Sequence, residues 1–354
     1  MMKKGQKAMN NQTAYLVEPM RFEIRESPMP EYGDDDVLVE SRHMGICGSD
    51  VMFYHDPTVG GALQVELPVV LGHECAGTVV AAGKNVKNLK PGDSVALEPG
   101  IPCCKCEYCL QGRYNLCREV DFMAAPPFLS GALNKYIAHP AAFTFRLADN
   151  MTTVEGAMIE PLSVGIHAAG RAQAEPGKSI VILGAGCIGL MTLLACRSRG
   201  ATNITVVDLY DNRLGTAAGL GAAHVINGKD ADTVKEIMKL TGNQGADIVF
   251  ETAGSVHTAR QTPFMVKPGG KVVIVGNIHS EVPYDFFTMN CKEADVLSVF
   301  RYRNIYPTAI ESVAGGKIDV KQIATDFYKF SEVNEAFSCA LNNKRTALKV
   351  VIEF

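Results

Sequence analysis

No stretch of this 354-residue chain is apolar for long enough to cross a bilayer. Its opening run, MMKKGQKAMNNQTAYLVE, has lysines but no apolar core behind them, so it does not read as a secretory signal. No sign of charge dominates. Lys and Arg number 34 against 38 Asp and Glu, a net charge of -4, which offers no footprint for nucleic acid or an anionic membrane. There is no internal repeat and no low-complexity tract. These absences leave a cytoplasmic protein that handles a small molecule, with no nucleic-acid and no membrane partner, as the expectation. What is present is ordinary globular material, 47% hydrophobic and 20% charged. The length exceeds what one core usually supports, so two domains are expected.

Eleven cysteines would suggest disulfides in a small secreted domain, but the length is wrong and the export signal is missing. Clustered thiols then read as metal ligands, and single ones such as Cys196 and Cys339 as small buried hydrophobes. In EPGIPCCKCEYCLQGRYNLC, Cys103, Cys106, Cys109 and Cys117 are spaced C-x2-C-x2-C-x7-C. Four thiolates in one short lobe can close a tetrahedral zinc site with no position left for substrate, which makes it structural. A redox Cys-x-x-Cys pair is the alternative, and Cys104 is a spare thiol that complicates the assignment.

The chain changes grammar along its length. Short apolar runs broken by Gly, Pro and Asp, such as DDDVLVESRHMG and KPGDSVALEPG, suggest a mostly β, barrel-like unit up to about residue 158. From 159 to 299, SIVILGAG, ITVVDL, ADIVFETAG and GKVVIVGN alternate with helix-length segments, which implies βαβ units and a doubly wound parallel sheet, an α/β fold. Residues 300–354 lose that rhythm and are expected to return to the first domain.

Gly184, Gly186 and Gly189 form G-x-G-x-x-G directly after a β run and directly before an apolar helical segment. A second strand ends at Asp208, nineteen residues after Gly189. This is the dinucleotide arrangement, in which glycines allow the tight turn and the helix N-terminus favours a pyrophosphate. Asp208 would accept from the ribose hydroxyls and repel a 2'-phosphate, favouring NAD over NADP, although the nearby Arg213 could accommodate such a phosphate.

The run VELPVVLGHECAGTVV sets His73 and Glu74 side by side in an apolar stretch. Burial of such groups is costly unless they are paired, hydrogen-bonded or metal-bound. Cys47 in a glycine-flanked turn could join them as one sulfur, one nitrogen and one oxygen donor, an open set of the kind a catalytic zinc needs. Spacing alone does not connect residues so far apart. Glu160, before a proline at the junction of the two halves, is a further candidate.

The residues Gly72, His73, Glu74, Gly77, Gly83 and Val86 fit G-H-E-x2-G-x5-G-x2-V, and with GICGSD, the four-cysteine lobe and LGAGCIG the chain resembles the zinc-dependent medium-chain alcohol dehydrogenases over essentially its whole length. EPLSVGIHA and VFRYRN resemble the sorbitol and xylitol dehydrogenase branch. The resemblance implies a chaperonin-10-like (GroES-like) catalytic domain, an inserted Rossmann domain, and a homotetramer or homodimer. It implies that Cys47, His73 and Glu74 hold a catalytic zinc, that Glu160 contacts the zinc-bound water or substrate, and that Ser49 takes the alcohol proton. Phe53, Arg301 and Tyr302 match substrate positions. Ile188, Asp208, Arg213, Val275, Gly276, Asn277, Val299 and Phe300 match cofactor contacts. The implied reaction is hydride transfer from a polyol to NAD. The branch commonly has histidine then tyrosine where this chain has Met52 and Phe53, which leaves the outer proton relay open. Oxidation of threonine or another polar secondary alcohol is the rival reading, and a non-catalytic NAD- and zinc-binding protein a remoter one.

Overall fold

A computed structural model describes residues 10–58, 65–125 and 128–354. The first ten strands are β1 (Asn11–Glu18), β2 (Arg21–Ser27), β3 (Asp36–Gly45), β4 (Glu74–Ala82), β5 (Ser94–Leu97), β6 (Gly100–Ile101), β7 (Asp121–Met123), β8 (Phe128–Leu129), β9 (Tyr136–Pro140) and β10 (Thr144–Arg146). Three short helices lie among or after them: α1 (Gly48–His55), α2 (Glu107–Leu110) and α3 (Thr153–Ala157). Then come α4 (Ile159–Ala172) and a run of β11 (Ser179–Leu183), α5 (Cys187–Ser198), β12 (Asn203–Asp208), α6 (Asp211–Gly219), β13 (His224–Asn227), α7 (Thr233–Leu240), β14 (Ala246–Glu251), α8 (Val256–Met265), β15 (Val266–Ile274), α9 (Phe286–Lys292) and β16 (Asp295–Ser298). The chain finishes with α10 (Tyr306–Ala314), β17 (Ala324–Lys329), α11 (Val333–Asn342) and β18 (Lys349–Glu353).

Two compact units result. One runs to Glu160 and takes in Ala324–Phe354; the other is Pro161–Ile323. In the first, a seven-stranded sheet has the order β10-β5-β4-β3-β18-β17, with β9 also on β3. The long strand β3 changes neighbour midway. Its first half pairs with β9, Asp36 opposite Pro140 to Glu40 opposite Tyr136, and its last residues pair with β18, His43 opposite Glu353 to Gly45 opposite Val351. On its other side β3 pairs with β4 throughout, ending with Gly45 opposite Glu74. The last strand of the chain is thereby brought alongside Glu74. Leu16, Val39, Met44, Val79, Val95, Leu97 and Ile352 fill the core between these strands. Phe22, Tyr54 and Phe337 cluster with ring centroids 4.7 to 5.5 Å apart, which pins α1 and α11 to it.

The second unit is a six-stranded, wholly parallel sheet, β13-β12-β11-β14-β15-β16. Its central strands are continuous apolar runs because helices cover both faces. Val181, Leu183, Val249, Val272 and Met289 are among the residues of one such packed layer. The α/β fold with a parallel Rossmann-type sheet and a mostly β partner unit is as the sequence pattern implied. Residues 300–323 group with the second unit and Ala324–Phe354 with the first, whereas the sequence pattern suggested a return from residue 300. The reason is α10, which buries Tyr306, Ala309, Ile310 and Val313, a helical stripe of the i, i+3, i+4, i+7 kind, followed by buried Ile318, Val320 and Ile323. Among the described residues no helix is long and apolar enough to cross a membrane.

His139 on β9 is fully enclosed, and its Nε2 meets the Glu98 carbonyl oxygen at 2.9 Å. Burial pushes its pKa down from 6.5 to about 4. The unfolded chain takes up a proton below about 6.5 that the folded one refuses, so stability is complete above that pH and falls as pH drops toward 4. Urea titrations of the zinc-loaded protein should show a loss of about 2 kcal/mol between pH 6.5 and 5, mostly removed in His139→Gln. An identical slope in the variant would assign the acid sensitivity elsewhere.

Candidate metal centres and cofactor site

The four-cysteine lobe is local. Cys106 caps the one-turn helix α2, Cys109 lies within it, and a 3-10 turn, Tyr114–Leu116, delivers Cys117. The four Sγ atoms lie within 4.8 Å of one another, with Cys106 and Cys109 at 3.5 Å, and none is in a disulfide. Zinc held by four thiolates at about 2.3 Å has sulfur edges of about 3.8 Å, so the lobe fits the ion. The Cys103 N–H also donates to Cys117 Sγ at 3.4 Å. Cys104 is exposed and turns its thiol to the Pro102 carbonyl, outside the set.

Cys47, His73 and Glu74 come together although 26 residues separate the first two in sequence. Their donor atoms lie within 4.8 Å of one another, and all three belong to the first unit. Cys47 is the N-cap of α1, and Asp50 in the first turn accepts the Cys47 N–H at 3.0 Å and the Gly72 N–H at 3.0 Å. Gly72 needs its residue type: its φ is +96°, and a Cβ there would come 2.1 Å from Met44 Sδ. The same Asp50 oxygen that holds Gly72 lies 3.3 Å from His73 Nδ1, which leaves Nε2 to donate a lone pair. Burial opposes charge on His73, but Asp50 and Cys47 outweigh it and raise its pKa well above 6.5. That is the field of a site built to receive a cation.

Glu74 is fully buried and both its oxygens accept from Lys349 Nζ at 2.7 Å. Lys349, on β18 and 4% exposed, also donates to the Ile46 carbonyl at 3.0 Å. Gly45 makes room for the pair, since a Cβ there would fall 2.2 Å from Glu74 Oε2. A carboxylate has about four lone-pair positions, so Lys349 leaves acceptor capacity for a metal. The mixed sulfur, nitrogen and oxygen set therefore fits zinc with an open position. Glu160 is buried in the first turn of α4 but is not one of the three clustered donors. Ser49 is half-buried, two residues beyond Cys47 on α1. Phe53 is a core residue, 3% exposed, with Met52 packed against the same core. Asp50 and Lys349 were not singled out in the sequence. Asp50 stands within the quoted GICGSD, but Lys349 sits 275 residues from Glu74 with nothing local to mark it.

In the second unit the glycine loop joins β11 to α5, at the point where the strand order reverses between β11 and β14. A Cβ on Gly189 would fall 1.9 Å from the Gly184 carbonyl oxygen, and Gly186 is the N-cap of α5, with Ile188 in its first turn. Asp208, at the end of β12, accepts the Ala185 N–H at 2.7 Å and the Leu209 and Tyr210 N–H groups at 2.7 and 3.1 Å. It thus holds the loop. Arg213 of α6 lies against Gly186, its Nη1 3.6 Å from where a Cβ would stand. The Val275 and Gly276 N–H groups donate to the Glu251 carbonyl at 2.8 and 2.9 Å, and exposed Asn277 follows. Val299 donates to Ile274 at 2.9 Å. Phe300 is exposed, with the Arg301 guanidinium 4.8 Å over its ring, while Tyr302 is 3% exposed and 5.7 Å from Tyr306. Buried Glu251, also not singled out in the sequence, binds the Gly254 and Ser255 N–H groups and the Thr258 hydroxyl.

The Lys349–Glu74 pair predicts a metal-dependent stability effect. Lys349→Met leaves a buried carboxylate unpaired, a loss of about 3 to 5 kcal/mol in metal-free protein. Bound zinc would offset part of it, so the fall in Tm should be larger in chelator than with zinc. Equal falls in both would mean that Glu74 does not face the metal. Metal analysis should also find two zinc ions per chain, with one lost in Cys47→Ser.

Residues 33–149 match the alcohol dehydrogenase GroES-like domain and residues 187–315 the zinc-binding dehydrogenase domain. The zinc-type alcohol dehydrogenase-like protein YdjJ of Escherichia coli is 48% identical over 98% of this chain and 99% of its own. The sorbitol dehydrogenase of Bacillus subtilis is 40% identical over 97% of each. A crystal structure of an Escherichia coli oxidoreductase/dehydrogenase of unknown specificity superposes with a TM-score of 0.94 at 48% identity, covering 98% of this chain and 99% of that one. Two domain matches, whole-length kinship and two thiol-bearing metal clusters agree, and the chain belongs to the zinc-dependent medium-chain alcohol dehydrogenase family, as a zinc- and NAD-binding enzyme.

Proposed function

We propose that the protein oxidises a polyol of the sorbitol or xylitol kind to its ketose, with NAD as the hydride acceptor. The observation that carries this reading is the open Cys47, His73, Glu74 set with Ser49 two residues from Cys47 on the same helix. Kinship to sorbitol dehydrogenase supports the substrate class. Bound zinc supplies a Lewis acid that lowers the pKa of a substrate hydroxyl, and bound NAD accepts the hydride. Ser49 takes the released proton. Met52 packs against the core and carries no proton, so the proton passes from Ser49 to water or through a ribose hydroxyl of the cofactor. Asp50 orients His73, Lys349 holds Glu74, and the Phe122 ring, 5.6 Å from that of His73, keeps water from one side of the imidazole. Arg301 and Tyr302 engage further substrate hydroxyls, which a simple alkyl alcohol would not require. Asp208 accepts from the ribose.

Burial of Phe53 in the core favours a second reading, a smaller polar secondary alcohol such as threonine, because that position offers no hydroxyl to a longer polyol. We further propose a homodimer or homotetramer. The edge strand β16 exposes Val296 at 49%, close in sequence to exposed Phe300, and light scattering reads the mass directly.

A screen of NAD reduction over sorbitol, xylitol, galactitol, threonine and small diols tests the substrate class, and turnover of threonine alone would favour the second reading. Ser49→Ala should lower kcat by about 10²- to 10⁴-fold, and a mild loss would remove Ser49 from proton transfer. Asp208→Ala should weaken both cofactors, since it releases the Ala185 N–H, and should narrow the NAD over NADP ratio of kcat/KM. A uniform loss at constant ratio would make Asp208 a loop anchor only.

A further inference from the structure

The parallel sheet presents a strand-end surface on each side of its switch point. On the β11–β12 side stand the glycine loop and Asp208, which suit the pyrophosphate and the adenosine ribose. A dinucleotide lies across such a crevice, so its second mononucleotide meets the strand ends on the other side, those of β14 and β15. Glu251 is the last residue of β14, 0% exposed, and has no part in the chemistry described so far.

It holds two segments at once. Its carboxylate accepts the Gly254 N–H at 3.3 Å, the Ser255 N–H at 3.4 Å and the Thr258 hydroxyl at 2.7 Å, which ties the loop after β14 to the strand end. Its carbonyl accepts the Val275 and Gly276 N–H groups just beyond β15. The two segments then meet backbone to backbone. Gly254 has a φ of +65°, and a Cβ there would fall 2.9 Å from the Asn277 carbonyl oxygen. A Cβ on Gly276 would fall 2.3 Å from the Gly254 nitrogen and 2.7 Å from Glu251 Oε2. No side chain fits between the segments, so the glutamate sets their separation.

The glycine loop is fastened separately. The Thr252 hydroxyl donates to the Leu183 and Gly184 carbonyls at 2.9 and 3.1 Å, and Asp208 takes the Ala185 N–H. Loss of the Glu251 carboxylate therefore loosens one side of the crevice and spares the other.

We propose that Glu251 is a positioning residue for the nicotinamide half of the cofactor: its carboxylate and carbonyl clamp residues 252–258 to 275–277 and so form the surface on which that half rests. The clamp depends on NAD binding and not on the polyol reading, and its test needs no alcohol.

Calorimetric binding of NADH and of ADP to the zinc-loaded full chain tests it, because ADP carries the adenosine and both phosphates but nothing of the nicotinamide half. Glu251→Gln sets an amide N–H against a backbone N–H whichever way the amide turns. It should weaken NADH about 10-fold while ADP changes by less than about 2-fold. Thr258→Val removes only the hydroxyl donor and should weaken NADH about 3-fold, again sparing ADP. Equal weakening of both ligands would make Glu251 a support of the whole unit, and an unaltered NADH affinity would show that the loops do not need it; either result overturns the proposal. Should Glu251→Gln fail to fold, Thr258→Val decides by the same two affinities. A substrate screen without turnover would strike the polyol reading and leave these affinities to decide the clamp.

Discussion

The buried ion pair between Lys349 and Glu74 is the constraint on which the catalytic half of this molecule depends. A carboxylate with no exposed surface would neutralise itself or disrupt the core unless a cation met it, and the cation comes from the last strand of the chain. The pair therefore requires β18 beside β3, β3 beside β4, and a glycine at position 45 between them. Lys349 also fixes the backbone just before Cys47 through the Ile46 carbonyl. One side chain thus sets the spacing of the oxygen and sulfur donors. The insertion of the whole second unit between residues 160 and 324 is tolerated because the return segment is anchored by this charge and by Phe337 in the aromatic cluster.

The two thiol-bearing clusters follow opposite physical logic. The four-cysteine lobe is closed by a fifteen-residue stretch, so the metal itself can organise it, and its thiols have little else to hold them. The Cys47, His73, Glu74 cluster is prepared by the fold. Asp50 ties α1 to the strand entry at Gly72 with two backbone hydrogen bonds while facing His73, and Lys349 ties β18 to Glu74. A catalytic centre with an open position gains from such support, since ligands that wander lose the geometry that chemistry needs. In the second unit, Asp208 and Glu251 do comparable work for the cofactor crevice, each holding loop N–H groups at the end of a strand.

The sequence by itself determined a good deal. Continuous apolar β runs alternating with helix-length segments, followed by glycines at a strand-to-helix turn, admit few folds other than a doubly wound parallel sheet, because each pattern reports a local period or a local steric need. The four cysteines were legible for the same reason: their spacing is their geometry. The adjacent His73 and Glu74 announced a need for partners. Tertiary structure decided who the partners are. Lys349 and Asp50 meet them through strand register and the cap of α1, neither of which leaves a periodic trace. It also decided where the second unit ends, since the stripe Tyr306, Ala309, Ile310, Val313 marks a buried face without naming the surface that buries it. The burial of Phe53 in the core and of Glu98 beside Tyr114 were likewise invisible, because local pattern shows that a residue can be buried and only packing against distant segments shows by what.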